Sequence, residues 1–409
     1  MNRLRLAVLG ATTTLVLAAC GGGSDTPAPR IDASDWDAVL AQADGQTVSW
    51  YMFGGDDALN SFVDDEVAPR LADLGVTLDQ VRVTDTADAV NAVLGEQRAG
   101  LTSDGSVDAI WINGENFATG VQADLWACGW ADQLPNARYV DLDDPALATD
   151  FGVPVDGCES VWQQASSALV YDSAELESSD VATVGSLLSW ASRNPGRFTY
   201  PAPPDFTGSM AVRSILYAQI DGPDKLPTQF DEAAFENGTA PLWKLLNEIE
   251  PSLWRGGETY PTSQEDVEKL YSDGEISAFF TYGPGAVAQK VADGTYPDST
   301  REAVPASGNI SNHSYIAIPA NAAHQAAALV LANTLQDPEV QLALYEATGI
   351  YPGIDLTLTP PSVQQAFDRV EQSPSVLSIE ELGRDAQREL ASEYISRIED
   401  AWRTEVLQR

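Results

Sequence analysis

The chain is 409 residues long and carries 61 acidic against 22 basic side chains, a formal net charge of −39. A surface of that sign repels phosphate backbones and anionic lipid head groups, which argues against nucleic acid as a partner. The length exceeds what one core normally supports, so two lobes are expected, and ten tryptophans with 44% hydrophobic residues allow large cores.

Arg3 and Arg5 precede an apolar run, Leu6 to Leu17, interrupted only by Gly10 and three threonines. That run is too short to cross a ~30 Å hydrocarbon core, so residues 1–19 read as a removable signal. Residues 20–35, rich in Gly, Ser, Pro and Asp after Cys20, read as a flexible tether. Thr47–Phe53 predicts a strand ending at Gly54-Gly55, and Asn60–Leu74 a helix with Phe62, Val63, Val67, Leu71 and Leu74 at helical spacing. Leu78–Val83 and Val107–Ile112 follow as strands around a helix over Thr86–Arg98. The same alternation returns with a strand at Ser167–Tyr171, a helix at Val184–Ala191, a strand at Arg197–Tyr200 and a helix at Gly208–Ile220. Glu275–Tyr282 and Tyr315–Ile318 predict further strands, and His324–Leu335, Pro338–Thr348 and Ser378–Leu407 the closing helices. Strands alternating with helices of this length predict an α/β chain whose lobes are mostly parallel sheets flanked by helices.

In open parallel sheets ligands bind beyond the carboxyl ends of the strands, where helix N-termini offer unpaired N–H groups. Four stretches combine that position with polar or aromatic residues. In the first, Tyr51, Gly54, Gly55 and Asp56 end a strand; the glycines permit close backbone approach, and Asp56 serves equally as a helix cap. In the second, Asn113 and Asn116 follow a strand whose Trp111 reads as core. The third runs from Tyr200 through Asp205, Thr207, Gly208 and Ser209 into a helix, a start that suits an anionic group but also needs a cap. The fourth pairs Tyr282 with the Asn309–His313 segment, where Asn312 is a candidate contact and His313 reads as a polar surface residue.

Leu17-Ala18-Ala19-Cys20 followed by Gly21-Gly22-Gly23-Ser24 resembles the lipobox of bacterial lipoproteins, which implies diacylglycerol on Cys20; the alternative is an ordinary secretory signal cut after Ala19. With Cys20 lipidated, Cys128 and Cys158 remain as an even pair in an oxidising compartment, which predicts a disulfide. The alternative is two buried free thiols. Further along, the order of Asp108–Gly114, Ser167–Asp172, Gly274–Ala278 and Ser314–Asn321 before an Ala-rich helix resembles the solute-binding proteins of ABC importers. The similarity covers most of residues 45–350 and points to the branch with thiamine-, polyamine- and iron-binding members. It implies a periplasmic-binding-protein type II fold with a hinge of two crossing segments. Lobe I would hold 36–168 plus about 313–350, and lobe II 169–312 plus about 351–409. It also implies a small polar solute in the inter-lobe cleft, delivered to permease and ATPase subunits by a monomer with no cofactor and no bound metal. The missing Tyr-Tyr pair disfavours an iron cargo; a cationic or heteroaromatic solute, thiamine- or polyamine-like, fits better.

A secreted hydrolase or transferase on a similar scaffold is the rival reading. Only His313 and His324 are available for a triad, and there is no Gly-x-Ser-x-Gly elbow, phosphate loop or His-Glu-x-x-His.

Overall fold

The computed structural model describes residues 32–283 and 285–408; the signal segment, Cys20 and most of the tether lie outside them. Eleven strands occur among the described residues: β1 (Thr47–Phe53), β2 (Thr77–Val83), β3 (Ala109–Ile112), β4 (Thr149–Asp150), β5 (Val153–Pro154), β6 (Glu159–Asp172), β7 (Ala278–Tyr282), β8 (Thr300–Ala303), β9 (Asn309–Ala317), β10 (Tyr351–Pro352) and β11 (Ala386–Gln387). The molecule is a two-lobed α/β protein hinged on two of them, β6 and β9.

In lobe I the sheet order is β2-β1-β3-β9-β6-β10. β1 pairs in parallel with β2 and β3, while β9 joins β3 antiparallel, with Ile112 opposite Tyr315. β6 runs antiparallel to β9 from Glu159 opposite Ala317 to Ser166 opposite Ser311. Beyond that point β6 enters lobe II, where it pairs with β7 and with β8, both antiparallel. The parallel character expected of both lobes therefore holds for β1 to β3. The crossing strands run in opposite directions, so every ladder they make with each other or with β3, β7, β8 and β10 is antiparallel. At the crossover, Gln164 Nε2 donates to Ser311 Oγ (3.0 Å) and Ser167 Oγ accepts from the Ile310 amide (2.9 Å).

The sequence accounts for most of this locally. Along β1, Val48, Trp50 and Met52 are buried while their neighbours are not, the period of a strand with one face on a core. Trp50, with Trp162 and Trp111, forms an edge-to-face stack (5.6 and 5.2 Å between centroids) that anchors crossing strand β6 in lobe I. A second cluster joins Ile110, Ile112 and Tyr315 of the sheet to Val90, Val93 and Phe117 of the helices Thr86–Arg98 and Gly114–Gln122. Lobe II has its own core around Trp190, Phe198, Met210, Leu216 and Trp402. Part of the excess of acid is used at helix starts, where Asp35, Asp56, Asp85, Asp205, Asp231 and Asp337 each accept a backbone N–H.

Three expectations change. The helix placed over Asn60–Leu74 begins at Asp57 and widens into a π turn over Val63–Val67 just before Pro69, which has no amide to donate. Arg197–Tyr200 forms no strand; Phe198 makes one bridge to Ala278 and its carbonyl accepts from Trp254 instead. Ser378–Leu407 is not one helix. It splits into Ile379–Gly383, the edge strand β11 against β9, and Ser392–Trp402, because pairing at the sheet edge overrides helical propensity. Cys128 and Cys158 form a disulfide.

Candidate functional site

The strand tips of both lobes meet at one seam. A methyl group added at Gly55 would stand 2.7 Å from Glu265 Oε1, so the end of β1 touches the helix Gln264–Ser272 of lobe II. The Gln264 amide in turn donates to Asp205 (3.3 Å), the cap of the helix Phe206–Ile220. Phe53 and Phe206 flank this contact and are the two aromatic members of the exposed large hydrophobic residues. Phe53 meets Trp111 edge-to-face at 6.4 Å, and Phe206 lies against Tyr282 at 5.1 Å. Each lobe thus presents an aromatic pair to the seam.

Below them lies a buried polar cluster centred on Arg213, the one charged residue inside the helix Phe206–Ile220. Its Nε and Nη2 donate to Glu389 Oε2 and Oε1 (3.0 and 3.2 Å), and Nη1 to Ser209 Oγ (2.6 Å). Tyr282 OH (2.7 Å) and Asn312 Nδ2 (3.1 Å) donate to the same Glu389 Oε1. Ser209 Oγ passes its own proton toward Glu399 Oε1 (2.6 Å). Three donor side chains, from the helix Phe206–Ile220, the end of β7 and the hinge strand β9, therefore converge on a carboxylate supplied by the C-terminal arm. Asn312 Oδ1 stays unpartnered, a buried acceptor left over.

Lobe I adds acid from the other side. Burial raises the Glu115 carboxyl, which also feels the charges of Arg213 and Glu389. Burial raises Asp150 well above the usual range against the opposing pull of its bond from the Gly114 amide (2.7 Å), and Glu115 and Glu389 push it further. Glu399 is pushed up to about 7, chiefly by burial. Deeper in lobe I, burial and Asp150 raise Glu159, whose two oxygens have no hydrogen-bond partner.

These carboxyls hold protons more tightly folded than unfolded, as does Glu302, pushed up to about 8 by burial. Their contribution is lost as pH rises from the ordinary carboxylate range toward those folded values. His313, held down to about 4 by burial, acts oppositely and costs stability below its unfolded value near ~6.5. The melting temperature is therefore expected to fall as pH goes from 6.5 to 8, and a scan that instead rises over that window would contradict these environments.

The positions read from sequence divide into two groups. Tyr282 and Asn312 meet on Glu389, Ser209 joins them through Arg213 and Glu399, and Asn113, with no side-chain bond to its helix, stands half-buried beside Glu115 and Asn116 at the seam. Gly55 is at the rim. The others have structural work. Tyr51 lies within β1, half-buried against Ile110 and Val90, so Phe53 holds the tip. Gly54 is pressed against Arg82 and accepts from Asn60. Asp56 and Asp205 are helix caps. Thr207 and Gly208 are buried, with the Gly208 Cα close to the Pro201 carbonyl. Tyr200 is core: its hydroxyl accepts from Trp402 Nε1 (3.2 Å) and burial raises it to about 12. Arg213 had a signal in the sequence, the one charged residue in its helix. Glu389 and Glu399 had none.

A two-lobed fold hinged on antiparallel crossing strands, with aromatic and polar side chains gathered at the seam, defines a solute-binding protein of the periplasmic-binding type. The chain belongs to the bacterial extracellular solute-binding proteins, whose family model matches residues 70–368. It is 39% identical over 310 residues to protein YnjB of Escherichia coli (strain K12), covering 76% of this chain and 79% of that protein. Among solved structures it is similar to an ABC transporter substrate-binding protein from Bradyrhizobium japonicum (TM-score 0.64, 18% identity, 88% of this chain and 99% of that one). The ferric binding protein of Campylobacter jejuni (TM-score 0.60, 13% identity, 88% and 98%) and the spermidine/putrescine ABC transporter substrate-binding protein of Streptococcus pneumoniae (TM-score 0.59, 12% identity, 88% and 98%) share the fold. Membership implies a small-molecule solute and an ABC permease as partners. No described helix is long and apolar enough to cross a membrane.

Proposed function

We propose that this protein captures a small polar solute, cationic or heteroaromatic and thiamine- or polyamine-like in its chemistry, between its lobes and hands it unchanged to a permease. One observation carries the reading: the seam joins two aromatic pairs, Phe53–Trp111 and Phe206–Tyr282, to a buried polar cluster in which Glu389 takes up the Arg213 charge and Glu399 accepts from Ser209. Aromatic faces attract positive charge, and Glu389 leaves the Arg213 charge compensated. We assign the lobes as 36–168 plus about 313–350 and 169–312 plus about 351–409, and Cys20 as the lipid anchor of a monomer on the extracytoplasmic face. Asn113, Asn116, Ser209, Tyr282 and Asn312 are the polar contacts of this reading.

Thermal shift with thiamine, spermidine and putrescine tests it, with glucose as a neutral control. A saturable rise with a cation and none with the sugar is expected; no rise with any cation removes the cargo assignment. Gly55→Val places two methyl groups where the lobes meet. It is expected to weaken the bound cation by about tenfold or more, with a much smaller effect on the unliganded melting temperature, since Gly55 is exposed and the Phe53 ring and Glu265 side chain that the new carbons meet can move.

A further inference from the structure

The segment after residue 368 lies beyond the span matched by the family model, yet it delivers Glu389 into the centre of the seam. It is fixed there on both sides. Ala386–Gln387 pairs with Asn309–Ile310 of β9, and the Ser392 amide donates to the Phe151 carbonyl (3.0 Å) of the β4–β5 hairpin in lobe I. Between these two anchors the Glu389 side chain receives Arg213 through two nitrogens, Tyr282 and Asn312. Arg213, Tyr282 and Asn312 come from a helix, a strand end and the hinge, and all point donors at one pair of oxygens. Such a set is an oxyanion site in its own right: a planar guanidinium in a bidentate pose, a phenol and an amide. Its occupant is part of the chain.

We propose that Glu389 sets the sign of charge the cleft accepts: by filling the Arg213 site from within, the C-terminal arm excludes anionic solutes and leaves the aromatic pairs of the seam, Phe53–Trp111 and Phe206–Tyr282, to face a cation. This rests on the seam being the solute site. Were Glu389 absent, Arg213 Nε and Nη2, Tyr282 OH and Asn312 Nδ2 would be left without their common acceptor, and a carboxylate or phosphate of similar size would fit where the glutamate head now lies. Glu115, Asp150 and Glu399 from the facing helix, the β4–β5 hairpin and the helix Ser392–Trp402 are the charged groups that would oppose it.

The test compares the wild type with Glu389→Ala and Glu389→Gln in acetate and in inorganic phosphate, against chloride at equal ionic strength. Excluded salts stabilise any fold, so the wild-type response is the baseline. The Ala variant is expected to gain a saturable rise in melting temperature with millimolar acetate or phosphate that the wild type lacks. Adding Arg213→Met to it should abolish that rise. Spermidine or thiamine affinity, measured in chloride, is expected to fall about tenfold or more in both Glu389 variants. If the Ala variant folds only with acetate or phosphate present, the proposal is supported; if it does not fold at all, a tenfold loss of cation affinity in the Gln variant, which fills the site without its charge, supports it and an unchanged affinity overturns it. An equal anion response in the wild type, or one that survives Arg213→Met, also overturns it. Cation binding by the wild type with no anion gain in the variants would leave the function standing and remove this proposal, whereas anion gain without any cation binding would do the reverse.

Discussion

Glu389→Ala is expected to lower the free energy of unfolding by about 3–5 kcal/mol, the range for removing one partner of a buried ion pair. The side chains of Arg213 and Glu389 are only 1% and 3% exposed, so water does not replace the lost carboxylate. The surviving guanidinium would be a buried charge without its bidentate acceptor, and the Tyr282 and Asn312 donors would lose theirs as well. Exposed pairs such as Lys244–Glu248 behave differently and contribute at most about 1 kcal/mol. The comparison that isolates the pair is Arg213→Met with Glu389→Leu. Replacing both ends by apolar groups of similar volume is expected to cost less than the sum of the two single changes, by up to about 3 kcal/mol of coupling. Urea unfolding of the four proteins measures it. Additive losses would mean that the two groups do not interact as drawn.

The second large effect concerns Cys128 and Cys158. Replacing both by Ser opens a loop of 30 residues and is expected to cost roughly 3–4 kcal/mol in the chain-entropy model. The loop also carries function: it contains Asp150 and the β4–β5 hairpin whose Phe151 carbonyl holds the C-terminal arm. The Gly129 amide to the Gly157 carbonyl (2.8 Å) lies beside the bridge and keeps the loop base partly closed without it. Solute affinity should therefore fall along with stability, and reductant should reproduce both effects in the wild type. Unfolding that is unchanged by reductant would show that the bridge contributes nothing.

Lobe I was legible in the sequence because its elements obey local rules. Thr47–Phe53 alternates, Thr86–Arg98 is capped by Asp85, and Pro338–Thr348 starts behind Asp337 and ends at Gly349 with φ of 69°. Strands β6 and β9 were seen only in part, since a strand that crosses between lobes changes partners midway and no single face of it stays on one core. The site was half legible. Ser209 and Tyr282 stand at a helix start and a strand end, where unpaired donors are expected, and they converge with Asn312, which lies within β9. Tyr200 sits at a similar chain position but faces Trp402 and Tyr260, a choice made by packing that no neighbouring residue announces. Glu389 was beyond reach for the same reason. Its partner lies 176 residues away, and its own neighbours read as one more turn of solvent-facing helix.

Native mass spectrometry of the protein expressed with its leader and purified without refolding bears most directly on capture between the lobes. A single small-molecule adduct per chain, recovered chemically intact on denaturation and missing from Gly55→Val, is the expected result. An adduct equally abundant in Gly55→Val, or one released in altered form, would contradict a guest gripped at the seam and delivered unchanged.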